Sequence, residues 1–85
     1  MNSFKIEEKV RELLESIDFG VIEDLLVDAA DWGINIRMML NHQFIEIDLI
    51  KNWDGFEVIR NDQYKRDSIQ IDDLQDLLPV LKGDY

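Results

Sequence analysis

The 85-residue chain has no cysteine, which excludes a disulfide framework, a zinc–thiolate centre and a thiol nucleophile together. Histidine occurs once, at His42, so neither a His-rich metal site nor an H-x-x-x-H pair can be assembled. The four glycines (Gly20, Gly33, Gly55 and Gly83) are dispersed and build no phosphate-cradling loop. Serine occurs only as Ser3, Ser16 and Ser68, none in a G-x-S-x-G or S-x-x-K setting. No apolar run exceeds three residues, too short for a membrane-spanning helix. Met1 to Lys5 lead into Glu7 and Glu8 without the apolar stretch of a secretory signal, and the expected compartment is the cytoplasm. Basic residues are scarce as well: nine Lys and Arg stand against nineteen Asp and Glu, a net charge of −10.

What is present suits one folded domain spanning residues 1–85. Hydrophobic residues make up 46 % of the chain, with two Trp and four Phe, enough for a small core. A domain of this size buries only ~60–65 % of the surface its unfolded chain exposes, which leaves little depth for a cofactor cleft. No cofactor or metal is therefore expected.

Helical spacing comes first along the chain. Ser3 is suited to cap a helix, and Ile6, Val10, Leu13, Leu14 and Ile17 fall on one stripe. Glu7 and Arg11 form an i,i+4 pair, and Gly20 is a suitable stop, so residues 4–18 are predicted to be helix. In residues 21–31, Ile22, Leu25, Leu26 and Ala29 fit i, i+3, i+4, i+7 and predict a second short helix. A strand through Leu25–Val27 is the alternative.

From Trp32 the period becomes two. Trp32, Ile34, Ile36 and Met38 alternate with Gly33, Asn35, Arg37 and Met39, and Ile45, Ile47 and Leu49 with Phe44, Glu46, Asp48 and Ile50; Phe56, Val58 and Arg60 then alternate with Glu57 and Ile59. Turns at Asn41-His42 and Asp54-Gly55 would pair Arg37 with Glu46, Ile36 with Ile47, Met39 with Phe44, and Ile50 with Ile59. These registers predict a three-stranded antiparallel meander over about 34–40, 43–53 and 56–61. Residues 61–68 read as a polar connection. Ile69 and Ile71 can extend briefly, and Asp72 can cap a short helix that Pro79 ends or kinks near Leu78. The expected fold is α+β, in the order α(α)βββα, with helices on the apolar sheet face.

Chemistry is sparse. Asp67-Ser68-Ile69 resembles, over these residues alone, the phosphopantetheine-bearing serine of acyl carrier proteins. Pro79 and the strand-rich middle depart from that all-helical family, and no carrier role is assigned. The segment after Asn61-Asp62 lacks the glycine and terminal glutamate of a calcium-binding EF-hand loop. Asp72-Asp73 reads as a helix-capping pair, His42 as a turn residue, and the chain as a non-enzyme.

Charge distribution says more about partners. Residues 1–31 carry nine acids against three bases, residues 32–66 five of each, and residues 67–85 five against one. Only Lys65-Arg66 cluster, too little to bind a phosphate backbone directly. A protein with a basic surface is the natural counterpart. Two surfaces are expected to meet it. One is an acidic helical face of Glu8, Glu12, Glu15, Glu23, Asp24, Asp28 and Asp31. The other is the second sheet face, with Arg37, Met39, Phe44, Glu46, Ile50 and Ile59, which either the predicted second helix covers or a partner or second copy does. The resulting expectation is an acidic protein-binding module, an inhibitor of the phage anti-defence or toxin-neutralising type that blocks a nucleic-acid-binding surface by mimicry. A small housekeeping assembly domain, homodimeric through the second sheet face, is the rival reading.

Overall fold

The computed structural model describes residues 3–84. The chain runs α1 (Ser3–Glu15), β1 (Ile22–Ala30), β2 (Gly33–Leu40), β3 (Gln43–Asn52), β4 (Gly55–Asp62), β5 (Arg66–Ile71), a 3₁₀ turn (Leu74–Asp76) and α2 (Leu77–Lys82). The five strands form one antiparallel sheet in chain order. The α+β class is as expected; the three-stranded meander is not, because a strand has been added at each edge.

Helix α1 buries Ile6, Val10 and Leu14, with Leu13 and Ile17 packed beside them. It ends at Glu15 rather than continuing to residue 18, because Ser16 turns back on Leu13. The Ser16 backbone N–H and hydroxyl both donate to the Leu13 carbonyl, at 3.1 and 2.7 Å. Glu7 and Arg11 pair at 3.2 Å, as their spacing predicted. The predicted cap at Ser3 involves a side chain outside the described residues.

The predicted second helix over 21–31 is strand β1. Its helix-like spacing comes from a bulge: Glu23 pairs with Met39 and Leu26 with Arg37, so one extra residue is inserted between them. Asp24 carries it at φ 54°, a left-handed conformation that Asp tolerates better than most residues. The extra residue breaks strict alternation and counterfeits the helical period. Ile22 and Val27 are five residues apart, yet both stand on the core side, opposite Leu40 and Ile36.

Strands β2 and β3 pair as the sequence indicated, with Ile36 opposite Ile47, Arg37 opposite Glu46 and Met39 opposite Phe44. The β3–β4 hairpin turns one residue earlier than predicted, at Trp53-Asp54. Asn52 starts this turn, its side-chain oxygen accepting the Asp54 N–H at 3.2 Å. Gly55 instead opens β4 at φ 149°, where a Cβ would collide with the Ile71 carbonyl of β5. The register consequently moves by two: Leu49 faces Val58 and Ile50 faces Glu57, not Ile59. A two-residue shift preserves the faces, so the inward and outward assignments survive it.

The polar connection predicted for 61–68 shrinks to Gln63–Lys65, and β5 takes up the rest. Asp62 organises the turn by accepting backbone N–H groups from Tyr64 (2.7 Å) and Lys65 (2.9 Å). Ser68 lies in the middle of β5, opposite Ile59, not ahead of a helix. The cap beyond β5 is Asp73, not Asp72; Asp73 and Asp76 form a reciprocal capping box around the 3₁₀ turn. Pro79 does not stop the helix, because it occupies the first turn of α2, where its missing N–H costs nothing. The helix continues to Lys82 and closes at Gly83, φ 85°.

Both helices cover the same sheet face. Val10, Ile36, Ile47, Val58 and Leu77 are fully buried between the layers, each contributing roughly 1.5–3 kcal/mol relative to exposure. Arg60 is the one buried charged residue among those described, 8 % exposed at the end of this core, and it bonds Asp62 at 2.8 Å.

Candidate functional site

With no helix at residues 21–31, the second sheet face has no layer over it among the described residues. It is built by alternation: residues that flank the buried positions of each strand point to this side. β1 supplies Glu23, Leu26 and Asp28; β2 supplies Asn35, Arg37 and Met39; β3 supplies Phe44, Glu46, Asp48 and Ile50; and β4 supplies Glu57 and Ile59. The side-chain positions named for this face in the sequence (Arg37, Met39, Phe44, Glu46, Ile50 and Ile59) are thus brought together.

Two kinds of surface share the face. Near the Asn41-His42 turn, Met39 and Phe44 stand directly opposite each other, and Phe44 is 44 % exposed. Leu26, 53 % exposed, adds a third apolar group on β1. Towards the middle, the Asn35 amide donates to Glu46 Oε2 at 3.2 Å and Asp48 Oδ1 at 2.7 Å, fixing two carboxylates side by side. Arg37 faces Glu46 in the ladder, but its guanidinium reaches the other way, to Asp28 Oδ2 at 3.5 Å. Glu57 accepts from the Ser68 hydroxyl at 3.2 Å. Carboxylates outnumber cations on this face, and side-chain bonds hold several of them.

The acidic helical surface does not exist as one unit. Glu8, Glu12 and Glu15 form an exposed stripe on α1. Glu23 and Asp28 belong to the sheet face on the opposite side of the molecule, Asp24 occupies the bulge, and Asp31 lies in the β1–β2 turn. The reason is the strand identity of β1, which turns its acids away from α1. Leu26 and Glu57 were missed as members of the face. The first was assigned to a helix; the second was passed over, although the alternation of Phe56 and Val58 with Glu57 and Ile59 already put it on the same side as Ile59.

A groove of 630 Å³ separates α1 from the segment after β5; its walls include Lys9, Glu12, Leu13, Phe56, Asp73 and Leu74. Its polar lining mixes lysines and carboxylates without a base held against a nucleophile. His42 lies apart from it, in the β2–β3 turn, 3.5 Å from Glu23.

No family model, curated protein or solved structure matches this chain.

Proposed function

We propose that the protein is a non-enzymatic, acidic protein-binding module that inhibits its target by occupying a basic, nucleic-acid-binding surface. The observation that carries this reading is the open sheet face, on which Glu46 and Asp48 are fixed by Asn35 beside the exposed pair Met39 and Phe44. Carboxylates held on a sheet present negative charge without the entropy cost of ordering flexible side chains on binding. The apolar groups beside them supply the area that charge alone lacks, since electrostatics governs rate and specificity more than affinity. Phage anti-defence proteins and toxin-neutralising proteins are the functional classes with this physical character.

Assembly through a second copy is the weaker reading. Face-to-face packing would set Glu23, Asp28, Glu46, Asp48 and Glu57 of each copy against the same acids of the other, and like charges in contact oppose association.

The test is parallel capture from the native host with wild type and Phe44→Asp as baits. Because Phe44 is half exposed on an uncovered face, Phe44→Asp should change folding stability by ~1 kcal/mol or less. A target retained by wild type, lost by Phe44→Asp at unchanged melting temperature, and released by added DNA or RNA supports the proposal. A target held equally by both baits, or indifferent to nucleic acid, refutes it.

A further inference from the structure

The two tryptophans share one end of the sheet. Trp32 lies in the two-residue turn between β1 and β2, and Trp53 in the two-residue turn between β3 and β4. These turns are two strand spacings apart, ~10 Å. Trp53 is 99 % exposed and Trp32 50 %, so the fold makes almost no use of the first indole and half of the second. An indole left wet at a hairpin tip forgoes a large burial gain, and tryptophan is among the side chains most enriched at binding hot spots.

The mounts are stiff. Just behind each turn a glycine with positive φ backs onto a neighbouring strand's carbonyl, Gly33 on Leu49 and Gly55 on Ile71, where any Cβ would collide. The β3–β4 turn is also tied sideways, because Asn52 and Gln70 exchange side-chain amide bonds of 2.9 and 3.3 Å with β5. Each indole also has a carboxylate as its chain neighbour, Asp31 before Trp32 and Asp54 after Trp53.

We infer that this end is a second docking point, where Trp32 and Trp53 receive arginine side chains from a protruding segment of the protein partner. An indole face attracts a guanidinium by cation–π contact and planar stacking, and an adjacent carboxylate adds charge and a hydrogen-bond acceptor. Lys51 is the cation at this end, its amine held by the Asn52 and Gly55 carbonyls at 2.6 and 3.2 Å. The two carboxylates outweigh it, which makes an anionic lipid surface or a nucleic acid the wrong complement. This inference rests on the protein-binding reading and names the chemistry its target must carry.

The experiment follows the two indole N–H resonances of the full chain by NMR during titration with a blocked hexa-arginine peptide. Both indoles should shift in one saturable transition. Trp53→Leu should weaken binding about two- to fivefold, as a cation–π contact of ~0.5–1 kcal/mol implies. Asp54→Asn should weaken it too, whereas Tyr64→Ser, in the exposed β4–β5 turn at the other end of the sheet, should leave it unchanged. Hexa-lysine binding as tightly as hexa-arginine, or indoles that stay unmoved while sheet-face amides shift, would reduce the effect to diffuse charge and overturn the inference. A blue-shifted tryptophan emission on vesicles of phosphatidylcholine and phosphatidylglycerol, with no response to the peptide, would overturn it in favour of a lipid anchor. Loss of the indole response with Phe44-dependent target capture intact condemns this site alone; the reverse condemns the sheet-face reading alone.

Discussion

Asn41 and Val21 hold each other through two hydrogen bonds of 2.9 Å: the Asn41 backbone N–H donates to the Val21 carbonyl, and the Val21 N–H donates to Asn41 Oδ1. One residue thereby shapes the β2–β3 turn and anchors the chain as it enters β1. Asn41 and His42 both have positive φ, 52° and 66°, as a type I′ turn requires. Asparagine adopts this conformation readily; histidine does so less well.

His42→Gly should therefore stabilise the fold. Relief of left-handed strain yields ~1–2 kcal/mol, and the freer unfolded chain takes back ~0.4–1, for a net gain near ~0.5–1 kcal/mol. The His42–Glu23 contact is too exposed to reverse the sign. Asn41→Ala should cost ~1–2 kcal/mol, from the lost Val21 bond and the added strain. Urea melts of the two variants should move in opposite directions.

Adjacent residues of β1 should differ sharply. Leu26 looks onto the open face and is 53 % exposed, whereas Val27 is 6 % exposed against the core. Leu26→Asp should change stability by ~1 kcal/mol or less, while Val27→Asp buries an unpaired carboxylate and should cost ~3 kcal/mol or more. Thermal melts of both, read side by side, check the strand assignment. Similar losses would fit a helix in which both positions pack.

The legibility of the fold follows the same contrast. β2 and β3 alternate without interruption from Ile34 to Leu49, and their turn is a two-residue loop, so face and register both follow from the residues. β1 hides its alternation behind one extra residue at Asp24. β5 hides because its ladder side chains are mostly polar: Asp67 faces Arg60 and Arg66 faces Asn61, and cross-strand pairing of this kind leaves no hydrophobic trace. The open sheet face was readable as a set of neighbours, since side-chain direction needs only the period. That no described residue forms a layer over it was not readable, because this hinged on residues 21–31 being strand. Trp32 and Trp53 meet at one end only once β1 is added to the sheet.

Acid should weaken the β4–β5 turn in a defined window. The carboxyl of Asp62 is lowered from 3.8 to about 2 by the Tyr64 and Lys65 backbone N–H groups and by Arg60. A carboxyl whose pKa is depressed in the folded state contributes stability above its unfolded pKa and loses it as pH falls through the folded value. That contribution is thus intact above about pH 4 and disappears towards pH 2. Asp62→Asn removes the titrating group. Its melting temperature should fall less steeply than that of wild type between those pH values, while starting lower at neutral pH. Parallel pH slopes for the two proteins would show that the turn does not depend on the charged form.

The last expectation separates the two acidic surfaces that β1 divides. Glu46→Gln with Asp48→Asn removes two charges from the sheet face but keeps oxygen acceptors for the Asn35 amide, so the ladder beneath is preserved. If this face meets a basic groove, the double variant should associate with its target several-fold more slowly in low salt, ~3–10-fold. The difference should narrow at physiological ionic strength, where the screening length is ~8 Å. Glu8→Gln, Glu12→Gln and Glu15→Gln together remove three charges from α1, on the far side of the sheet. Beyond a screening length these carboxylates contribute only to the overall field, so the triple variant should lose less than the double one despite its larger change in charge. Stopped-flow association rates across a salt series compare the two directly. If the α1 variant is the slower, the contact lies on the helix layer, and the sheet face is not where the target is met.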